Sequence, residues 1–229
     1  MANKGKYYES QFEEATIELL REAHWQYTFG DDIHRKYTDP LIEEDLRNYL
    51  IKQHRDKNLT APEIDGIVAN LRNTGGQNDY YALRNAFLLY RDGYDFVYSD
   101  GRDNPFRLEY IDFEHPDHNI FRCVNQFVME QGRENRRPDI LLFINGIPVC
   151  IIELKNPTKQ NATIRDAHTQ ICTRYMRDIP ALLKYCALAV ISDGAKNALG
   201  TTYTPFEFFY EWKKINNEDK AGKGLDTLR

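Results

Sequence analysis

Two acids and a lysine lie at the ends of short apolar runs in the middle of the chain. In RRPDILLFINGIPVCIIELKNP, residues 136–157, Asp139 precedes one run, and Glu153 and Lys155 end the next. Unpaired charges in an apolar interior are costly, so a shared purpose is expected. Carboxylate oxygens suit Mg²⁺, and a neighbouring ammonium can position a water or stabilise developing charge. The pattern predicts a magnesium site for phosphate-ester hydrolysis; the alternative is an ordinary hairpin whose charges are solvated or ion-paired.

The predicted site requires a hairpin that brings Asp139 across from Glu153. A strict two-residue turn at Asn145–Gly146 would turn these two carboxylates to opposite faces of the sheet. A three-residue loop, with glycine in the left-handed conformation, pairs Ile144 with Pro148 and aligns the carboxylates. We therefore predict a three-residue or bulged hairpin. A plain two-residue turn with no compensating bulge would remove the shared face.

The elements that must position these residues follow from hydrophobic periodicity. Apolar stripes at helical spacing predict helices over residues 8–23 and 80–90, and two more that begin near Asp39-Pro40 and at Pro62. Strand patterns cover residues 95–98, 106–113, 119–130, 139–144, 149–155 and 187–192, and a further helix covers 163–177. This order predicts a mixed α/β (α+β) fold with a central mixed sheet flanked by helices.

The domain organisation is predicted from the same pattern. We expect one domain over residues 1–229, with a helical part over about 8–93 and a sheet core over about 94–215. The polar tail over residues 216–229 ends without a capping signal, which indicates a piece of a larger protein. The KAGKG around Lys223 lacks the spacing of a P-loop, so ATP use is expected of whatever follows Arg229.

Composition limits the class of protein. The chain has 229 residues and a formal net charge of −5, which gives no overall attraction to a polyanion. Its four cysteines are widely spaced and predict reduced thiols rather than a disulfide frame or zinc site. The N-terminus is too polar for a signal peptide, and no apolar run reaches membrane-spanning length. We expect a soluble cytoplasmic protein with no membrane partner.

Basic residues cluster near the predicted site despite the acidic total. Arg136, Arg137, Lys159 and Arg174 are the candidates for contact with nucleic-acid phosphates. Neutralisation by neighbouring acids remains the alternative for Arg165 and Arg177. We predict a structural role for two other segments. EHPDH, residues 114–118, is predicted to be a turn rather than a metal cluster. FEFFY, residues 206–210, is predicted to be part of the core.

The sequence around the two acids resembles that of a known family. Pro-Asp followed by Glu-x-Lys is similar to the PD-(D/E)xK nuclease signature. The stretch IDFEHPDHNIFRCVNQFVMEQGRENRRPDILLFINGIPVCIIELKNP, followed by a helix with Gln170 and by LAVISDG, resembles the N-terminal nuclease domain of type I restriction enzyme R (motor) subunits. The resemblance extends from FEEATIELL to TPFEFFYEWKK. It implies a restriction-endonuclease-like fold.

The resemblance also implies roles for individual residues. Asp139 and Glu153 would bind the metal together with the Leu154 carbonyl, and Lys155 would be the catalytic lysine. A further metal-binding acid would come from the first helix, at Glu13 or, failing that, at Glu14. A solvated Glu13 without a metal is the alternative.

A glutamine motif on the following helix departs from the family pattern. The family has Gln-x-x-x-Tyr, whereas this chain has one more residue between Gln170 and Tyr175. We expect Gln170 to reach the site as a catalytic residue. In a regular helix Arg174 lies on the same face as Gln170 and could take a phosphate or an acid, while Tyr175 is turned about 140° away. A π-bulge would bring Tyr175 back to the site.

These patterns and the resemblance lead to one functional prediction. We expect a Mg²⁺-dependent endonuclease domain that hydrolyses double-stranded DNA, with ATP used only by a motor region outside this chain. The resemblance implies that the modification (M) and specificity (S) subunits choose the target. The alternatives are a catalytically silent DNA-binding or motor-docking module, and a stand-alone repair or junction nuclease of the same fold.

Overall fold

The structure, a computed structural model, describes residues 2–155 and 163–211, with side chains from residue 10 onward. The helices of the first part are α1 Ala2–Glu22, α2 Glu43–Gln53, α3 Ala61–Asn73 and α4 Asp79–Asp92. Later in the chain, α5 Ile164–Thr169 continues through a π-helical turn, Gln170–Tyr175, into α6 Met176–Asp178, and α7 Pro180–Leu183 follows. The predicted helical first third is confirmed.

Most of the strands follow α4, and the larger part of them forms a central sheet. In chain order they are β1 Gln26–Phe29, β2 Tyr94–Phe96, β3 Phe106–Leu108, β4 Phe121–Asn125, β5 Met129–Gln131, β6 Glu134–Arg136, β7 Ile140–Ile144, β8 Ile147–Leu154, β9 Leu188–Ser192, β10 Asn197–Gly200 and β11 Tyr210–Glu211. Within the described residues, seven of them form one sheet in the order β1-β4-β7-β8-β9-β10-β11. The pairs β1–β4 and β8–β9 are parallel and the other neighbours are antiparallel, so the predicted mixed α/β fold is confirmed.

Each face of the central sheet packs against a different helical layer. Ile152 belongs to a cluster with Phe12 of α1, whereas Ile151 belongs to a cluster with Ile171 of the π-helical turn. Neighbouring strand residues point to opposite faces, so the sheet lies between α1 and the α5–α7 segment. Helices α2–α4 pack at the turn end of the β7–β8 hairpin, where Ile147 meets Leu46. The opposite end of β8 is therefore left for other contacts.

The starts of two helices test the capping predictions. Helix α3 begins as predicted, with Pro62 in its first turn and a capping box between Thr60 and Glu63. The predicted start of α2 at Asp39-Pro40 is wrong, because the helix begins at Glu43. The Asp39 carboxylate instead accepts a hydrogen bond from the Leu41 N–H, 3.1 Å away, which closes a local turn before the helix.

Two predicted strands are shorter than expected. The strand predicted over residues 106–113 ends at Leu108, and the Asn119 side chain bonds the backbone N–H and carbonyl of Asp112 in a turn that follows. This agrees with the turn predicted for residues 114–118, which contain a 3₁₀ helix, Pro116–His118. The strand predicted over 119–130 is divided into β4 and β5, because Gln126 takes a left-handed φ of 55° and the chain leaves the sheet.

Other sequence predictions have mixed outcomes. The four cysteines are free thiols, as expected. In FEFFY, Phe206 and Phe209 pack against the core, but Phe208 and Tyr210 are exposed, so the core prediction is wrong for those two. None of the helices in the described part of the chain combines the length and apolar content needed to cross a bilayer. Lys159, Lys223 and the tail over 216–229 lie outside the described residues.

Candidate active site

The β7–β8 hairpin aligns the two acids by a bulge inside a strand. Asn145 and Gly146 form a two-residue turn with φ of 51° and 76°, and Ile144 pairs with Ile147. The predicted three-residue loop with its Ile144–Pro148 pairing is therefore wrong. A compensating bulge follows at Val149, because Phe143 pairs with Pro148 while Leu142 pairs with Cys150.

This bulge restores the register that the site requires. Beyond it Ile140 pairs with Ile152, so the next position along each strand sets Asp139 opposite Glu153. The bulged hairpin that we predicted is thus present, with its extra residue in β8 rather than in the turn. The Asp139 carboxylate also accepts a hydrogen bond of 2.7 Å from the Leu154 N–H, which ties the entry of β7 to the end of β8.

Glu153 is a fully buried acid on the face that carries α5. It is 0% exposed and pairs in register with Ile191 of the parallel strand β9, whose side chain packs on the same helical layer. Burial raises the pKa of this carboxyl, and the nearby charge of Asp139 raises it further, to about 8. The bonds that Glu153 accepts from Lys155 and Tyr175 oppose this rise. Such a group is kept in the interior only by specific partners.

Lys155 supplies the nearest positive charge to Glu153. Its Nζ donates to Glu153 Oε1 at 2.8 Å and to the Gln170 side-chain oxygen at 2.8 Å. The side chain is 12% exposed, and its backbone N–H donates to the Ser192 carbonyl of β9. The ammonium is therefore held in a defined position at the end of β8.

The π-helical turn brings Tyr175 to the same cluster. Gln170 and Tyr175 are five residues apart, yet the Gln170 Nε2 donates to the Tyr175 hydroxyl at 2.7 Å. That hydroxyl donates in turn to Glu153 Oε2 at 3.3 Å. Glu153, Lys155, Gln170 and Tyr175 thus form a closed ring of hydrogen bonds. The extra residue in the helix is absorbed by the wider turn, and the phenol reaches the position that a regular helix would deny it.

The donor set of this cluster fits a hard divalent cation. Asp139 and Glu153 face each other across the hairpin, and when a bound cation favours ionisation of both, the Lys155 ammonium balances only one of their two charges. Oxygen ligands that carry an excess negative charge are what Mg²⁺ prefers. Asp139 and Glu153 are the residues that could hold the ion, and the Leu154 backbone lies between Glu153 and Lys155 with its N–H already bonded to Asp139. The Leu154 carbonyl remains a predicted ligand.

The predicted phosphate-binding arginines differ in their surroundings. Arg136 donates to the buried Asp178 carboxylate at 2.7 Å and to Glu134 at 2.5 Å, so its guanidinium is used to join β6 to α6. Arg137 and Arg174 are both exposed. The Arg137 carbonyl lies 3.5 Å from the Tyr175 hydroxyl, which places this residue next to the ring of hydrogen bonds. The alternative of neutralisation applies to Arg177, which pairs with Asp178 at 2.6 Å.

Glu13 approaches the same end of the sheet from the α1 side. Its carboxylate accepts hydrogen bonds from Asn125 Nδ2 at 2.6 Å and from Gln126 Nε2 at 3.1 Å, where β4 ends. Asn125 pairs with Ile140, the first residue of β7, so Glu13 lies near the start of the strand that follows Asp139. Glu14 is exposed. The role of Glu13 as a metal ligand stays a prediction.

Sequence reasoning missed the amides that hold Glu13. Asn125 and Gln126 carry no motif, and only the left-handed φ of Gln126 and the packing of α1 bring them to that carboxylate. Tyr27 was also missed, although its hydroxyl donates to the Asn125 side-chain oxygen at 3.0 Å. Glu13 of α1 and Tyr27 of β1 lie near the start of the chain, whereas Asn125 and Gln126 lie 98–113 residues further along. No local spacing could have predicted their meeting.

Comparison with known proteins gives consistent matches over this region. The sequence matches the family described as Type I restriction enzyme R protein N terminus over residues 6–208. It is 28% identical over 224 residues to the type I restriction enzyme HindI endonuclease subunit of Haemophilus influenzae, covering 94% of this chain and 21% of that protein. Identity is 26% over 194 residues to the type I restriction enzyme SsaAORF53P endonuclease subunit of Staphylococcus saprophyticus, with 81% and 20% covered.

A third relative is matched over a shorter stretch. The type I restriction enzyme EcoprrI endonuclease subunit of Escherichia coli is 32% identical over 133 residues, which cover 54% of this chain and 40% of that protein. The chain spans about a fifth of the length of the Haemophilus and Staphylococcus relatives.

Proposed function

The chain belongs to the family of type I restriction enzyme R protein N termini, and from that membership we propose that it is the nuclease region of an R subunit. The proposed reaction is Mg²⁺-dependent hydrolysis of phosphodiester bonds in double-stranded DNA, at a site of the PD-(D/E)xK type. The observation that carries the proposal is the meeting of Asp139, Glu153 and Lys155 at the end of β8, with Glu153 and Lys155 held in one ring of hydrogen bonds.

The residues of the ring have distinct roles in this mechanism. A bound Mg²⁺ would supply a water of lowered pKa and offset the charge that develops on the phosphate. Lys155 is held by Glu153 and Gln170, so its ammonium can orient a water or stabilise charge in the transition state. Tyr175 and Gln170 position Glu153 and Lys155 rather than react, because their bonds run to those two side chains. The Leu154 N–H orients Asp139.

DNA contact is assigned to exposed cations beside this ring. Arg137 and Arg174 are exposed, and we assign them to phosphates that flank the bond to be cut. Lys159 is proposed for the same role on its place in the sequence alone. We do not assign Arg136 to DNA contact, because its guanidinium is paired with Asp178 and Glu134.

The wider assembly is proposed on family membership. M and S subunits would choose the target sequence, and ATP would be used by a motor region of the same R subunit. The described residues offer no sequence reading of their own that we can assign, because the exposed cations near the site suit phosphates rather than base edges. Cleavage by this region in the cell would then depend on delivery of DNA by the rest of the complex.

The test begins with metal binding, since cleavage by this chain alone could need the rest of the complex. Calorimetric titration of the wild-type chain with Mg²⁺ should show binding that Asp139→Asn and Glu153→Gln lose. Lys155→Ala should abolish Mg²⁺-dependent nicking of plasmid DNA while duplex binding persists. Lys52→Ala, at an exposed position of α2, is the matched control and should behave as the wild type.

Two outcomes would replace the proposal. If the wild-type chain binds no Mg²⁺ and nicks no better than Lys155→Ala, a silent DNA-binding or motor-docking module is the better account. If the chain cleaves branched or damaged DNA by itself and prefers it to plain duplex, a stand-alone repair nuclease of the same fold is favoured.

A further inference from the structure

A second group of ligand-type side chains lies in the loop between β3 and β4. Asp112 is 4% exposed, whereas the side chains of His115 and His118 are 62% and 44% exposed. The three residues were not joined by sequence reasoning, because Asp112 precedes the EHPDH segment and only the fold of the turn brings it to the histidines. None of the three takes part in the proposed nuclease chemistry.

The buried carboxylate is anchored before any ligand arrives. Asp112 Oδ1 accepts the backbone N–H groups of Glu114 at 3.0 Å and His115 at 2.8 Å. Gln53, the last residue of α2, donates to Asp112 Oδ2 at 3.0 Å. The Asn119 side chain bonds the Asp112 backbone on both its N–H and its carbonyl. The position and orientation of this carboxylate are therefore set by the fold, which lowers the entropic cost of binding a ligand there.

The two imidazoles converge on the same carboxylate oxygen. His118 Nδ1 lies 2.9 Å from Asp112 Oδ2, and His115 Nδ1 lies 3.7 Å from it. The rings are stacked, with centroids 5.0 Å apart and planes 19° apart. One ligand atom from each of the three residues lies within 4.8 Å of the others. The two stacked imidazoles and the buried carboxylate oxygen therefore form a group of three candidate metal ligands.

The separations suit a tetrahedral transition metal. Zinc bonds of ~2.0–2.1 Å to nitrogen and oxygen place neighbouring ligands about 3.3 Å apart. The observed distances of 2.9 and 3.7 Å from the imidazoles to Asp112 lie on either side of that value, and all three ligand atoms lie within 4.8 Å of one another. Two imidazoles and one carboxylate select zinc-like ions over Mg²⁺, which prefers oxygen ligands alone.

The location separates this cluster from the proposed magnesium site. Asn119 accepts a hydrogen bond of 2.8 Å from Asn145, in the turn of the β7–β8 hairpin. Glu153 and Lys155 lie at the other end of β8, which is 8 residues long. At 3.2–3.4 Å per residue, the two sites are roughly 20 Å or more apart. A metal at one would not contact the other.

We propose that Asp112, His115 and His118 form a binding site for a divalent transition metal of the zinc class. Three protein ligands leave a coordination position open toward solvent, because both histidines are exposed. The metal would fasten the turn to the end of α2 through Asp112 and Gln53, and so join the helical layer to the start of β4.

The experiment uses the whole chain, stripped of metal by a chelator. Equilibrium dialysis against ZnCl₂ in excess MgCl₂ should leave one zinc per chain, and CoCl₂ should give the visible absorption of a tetrahedral histidine-bound ion. The double variant His115→Ala/His118→Ala should weaken zinc binding by at least about 100-fold, since even the loss of a group that only orients a metal ligand costs about 10–100-fold. His34→Ala, at an exposed histidine elsewhere, should retain the wild-type affinity.

Several results would overturn the proposal. These are a wild-type chain that holds no zinc, a double variant with wild-type affinity, and zinc that is displaced by MgCl₂ and lost in Glu153→Gln. The last would assign the zinc to the proposed magnesium site. Circular dichroism checks that the double variant is folded, and His118→Gln, which keeps a polar side chain beside Asp112, serves as a second variant that should also lose the cobalt spectrum.

Discussion

Glu153 is a carboxylate without solvent contact whose two oxygens are both occupied by specific donors. Lys155 bonds one oxygen and the Tyr175 hydroxyl bonds the other. The charge of Asp139 lies near enough to disfavour ionisation, so the group carries an electrostatic cost when no cation is bound. Residues kept at such a cost are typical of sites that work on a charged substrate or metal.

This cost predicts a pH dependence of stability. The pKa of Glu153 is raised to about 8, so the folded chain holds this proton more tightly than the unfolded chain. The resulting stabilisation is complete below the unfolded pKa of about 4.3 and is lost as the pH rises through about 8. Between pH 6 and pH 9, in metal-free buffer, the wild type should therefore lose roughly 1–3 kcal/mol relative to Glu153→Gln.

Urea unfolding at the two pH values measures this difference. Glu44→Gln, at an exposed acid of α2, is the control, and its pH profile should follow the wild type. If the stability of the wild type and of Glu153→Gln changed in parallel with pH, burial and Asp139 would not be raising the pKa of this carboxyl. Added Mg²⁺ should reduce the wild-type loss at pH 9, because a cation favours the ionised acid.

At the scale of elements, two irregularities place the site residues. The bulge at Val149 turns Glu153 to the face of Asp139, and the π-helical turn carries Tyr175 to Glu153. A single residue is inserted in each case, in a strand and in a helix. Both insertions lie within regular elements whose ends are set by other contacts, so the extra residue displaces only the local chain.

The turn of the hairpin predicts a large effect at one glycine. Gly146 has a φ of 76°, and a Cβ there would lie 2.1 Å from the Ile42 carbonyl oxygen. Gly146→Ala should therefore destabilise the chain by about 2–3 kcal/mol, through backbone strain and this clash. Chemical denaturation measures the change. Gly66→Ala in α3 is the matched control, because its Cβ meets nothing within 4 Å, and it should stabilise the chain by up to about 1 kcal/mol.

If Gly146→Ala lowered the free energy of unfolding by less than substitutions at exposed positions do, this account of the turn would be wrong. The same variant also reports on the site, since Gly146 accepts the Ile42 N–H through its carbonyl and thereby fixes the hairpin to the segment before α2.

The π-helical turn predicts that one residue can be removed. Deleting the exposed Thr173 should convert the turn to a regular α-helix and restore four-residue spacing between glutamine and tyrosine. We expect Mg²⁺ binding within about tenfold of wild type and an unchanged or higher melting temperature, because a wide turn with an extra residue is replaced by regular α-helix. Calorimetric titration and thermal unfolding measure both.

The control is a deletion in a regular helix. Removing the exposed Asn48 from α2 leaves no bulge to absorb the change, so it should shift the apolar face and lower the melting temperature by several degrees. Equal damage from the two deletions would mean that the wide turn is not a removable insertion.

At the scale of the whole molecule, charge limits how the chain meets DNA. The net charge is −5, and many arginines are paired with acids, as Arg47 is with Glu43 and Asp65. Among the described residues, Arg137 and Arg174 are exposed, and they are the ones that we propose for phosphate contact. Binding by this chain should therefore be weak and local rather than spread over a surface.

The salt dependence of DNA binding follows from the small number of phosphate contacts that we expect. With two or three phosphates neutralised, log Kobs should fall with log salt at a slope of about −2 to −3. Arg174→Ala should make the slope shallower by about one, and Arg47→Ala should leave it unchanged. Fluorescence anisotropy of a labelled duplex over a salt series gives the slope. A slope unaffected by Arg174→Ala would place the DNA elsewhere on the molecule.

Local patterns in the sequence were sufficient for much of the fold. Pro62 predicts the start of α3, and the period of apolar residues predicts a helical first third before the sheet. The spacing of Asp139, Glu153 and Lys155 predicts a shared site, since the residue types and the strand period are local properties. By itself the sequence determined most of the long helices, the strands of the β7–β8 hairpin and which charges must be accommodated, but not β1, β10 or β11.

Only the tertiary structure decided how those charges meet. The bulge lies in β8 and not in the predicted loop, and Arg136 is paired with Asp178, 42 residues further along the chain. Tyr175 reaches Glu153 through the π-helical turn, which the sequence offered only as the condition for this side chain to reach the site. The physical reason is that a shift of one residue in strand register moves every following side chain to the other face of the sheet. That register is set by packing against elements that are distant in sequence.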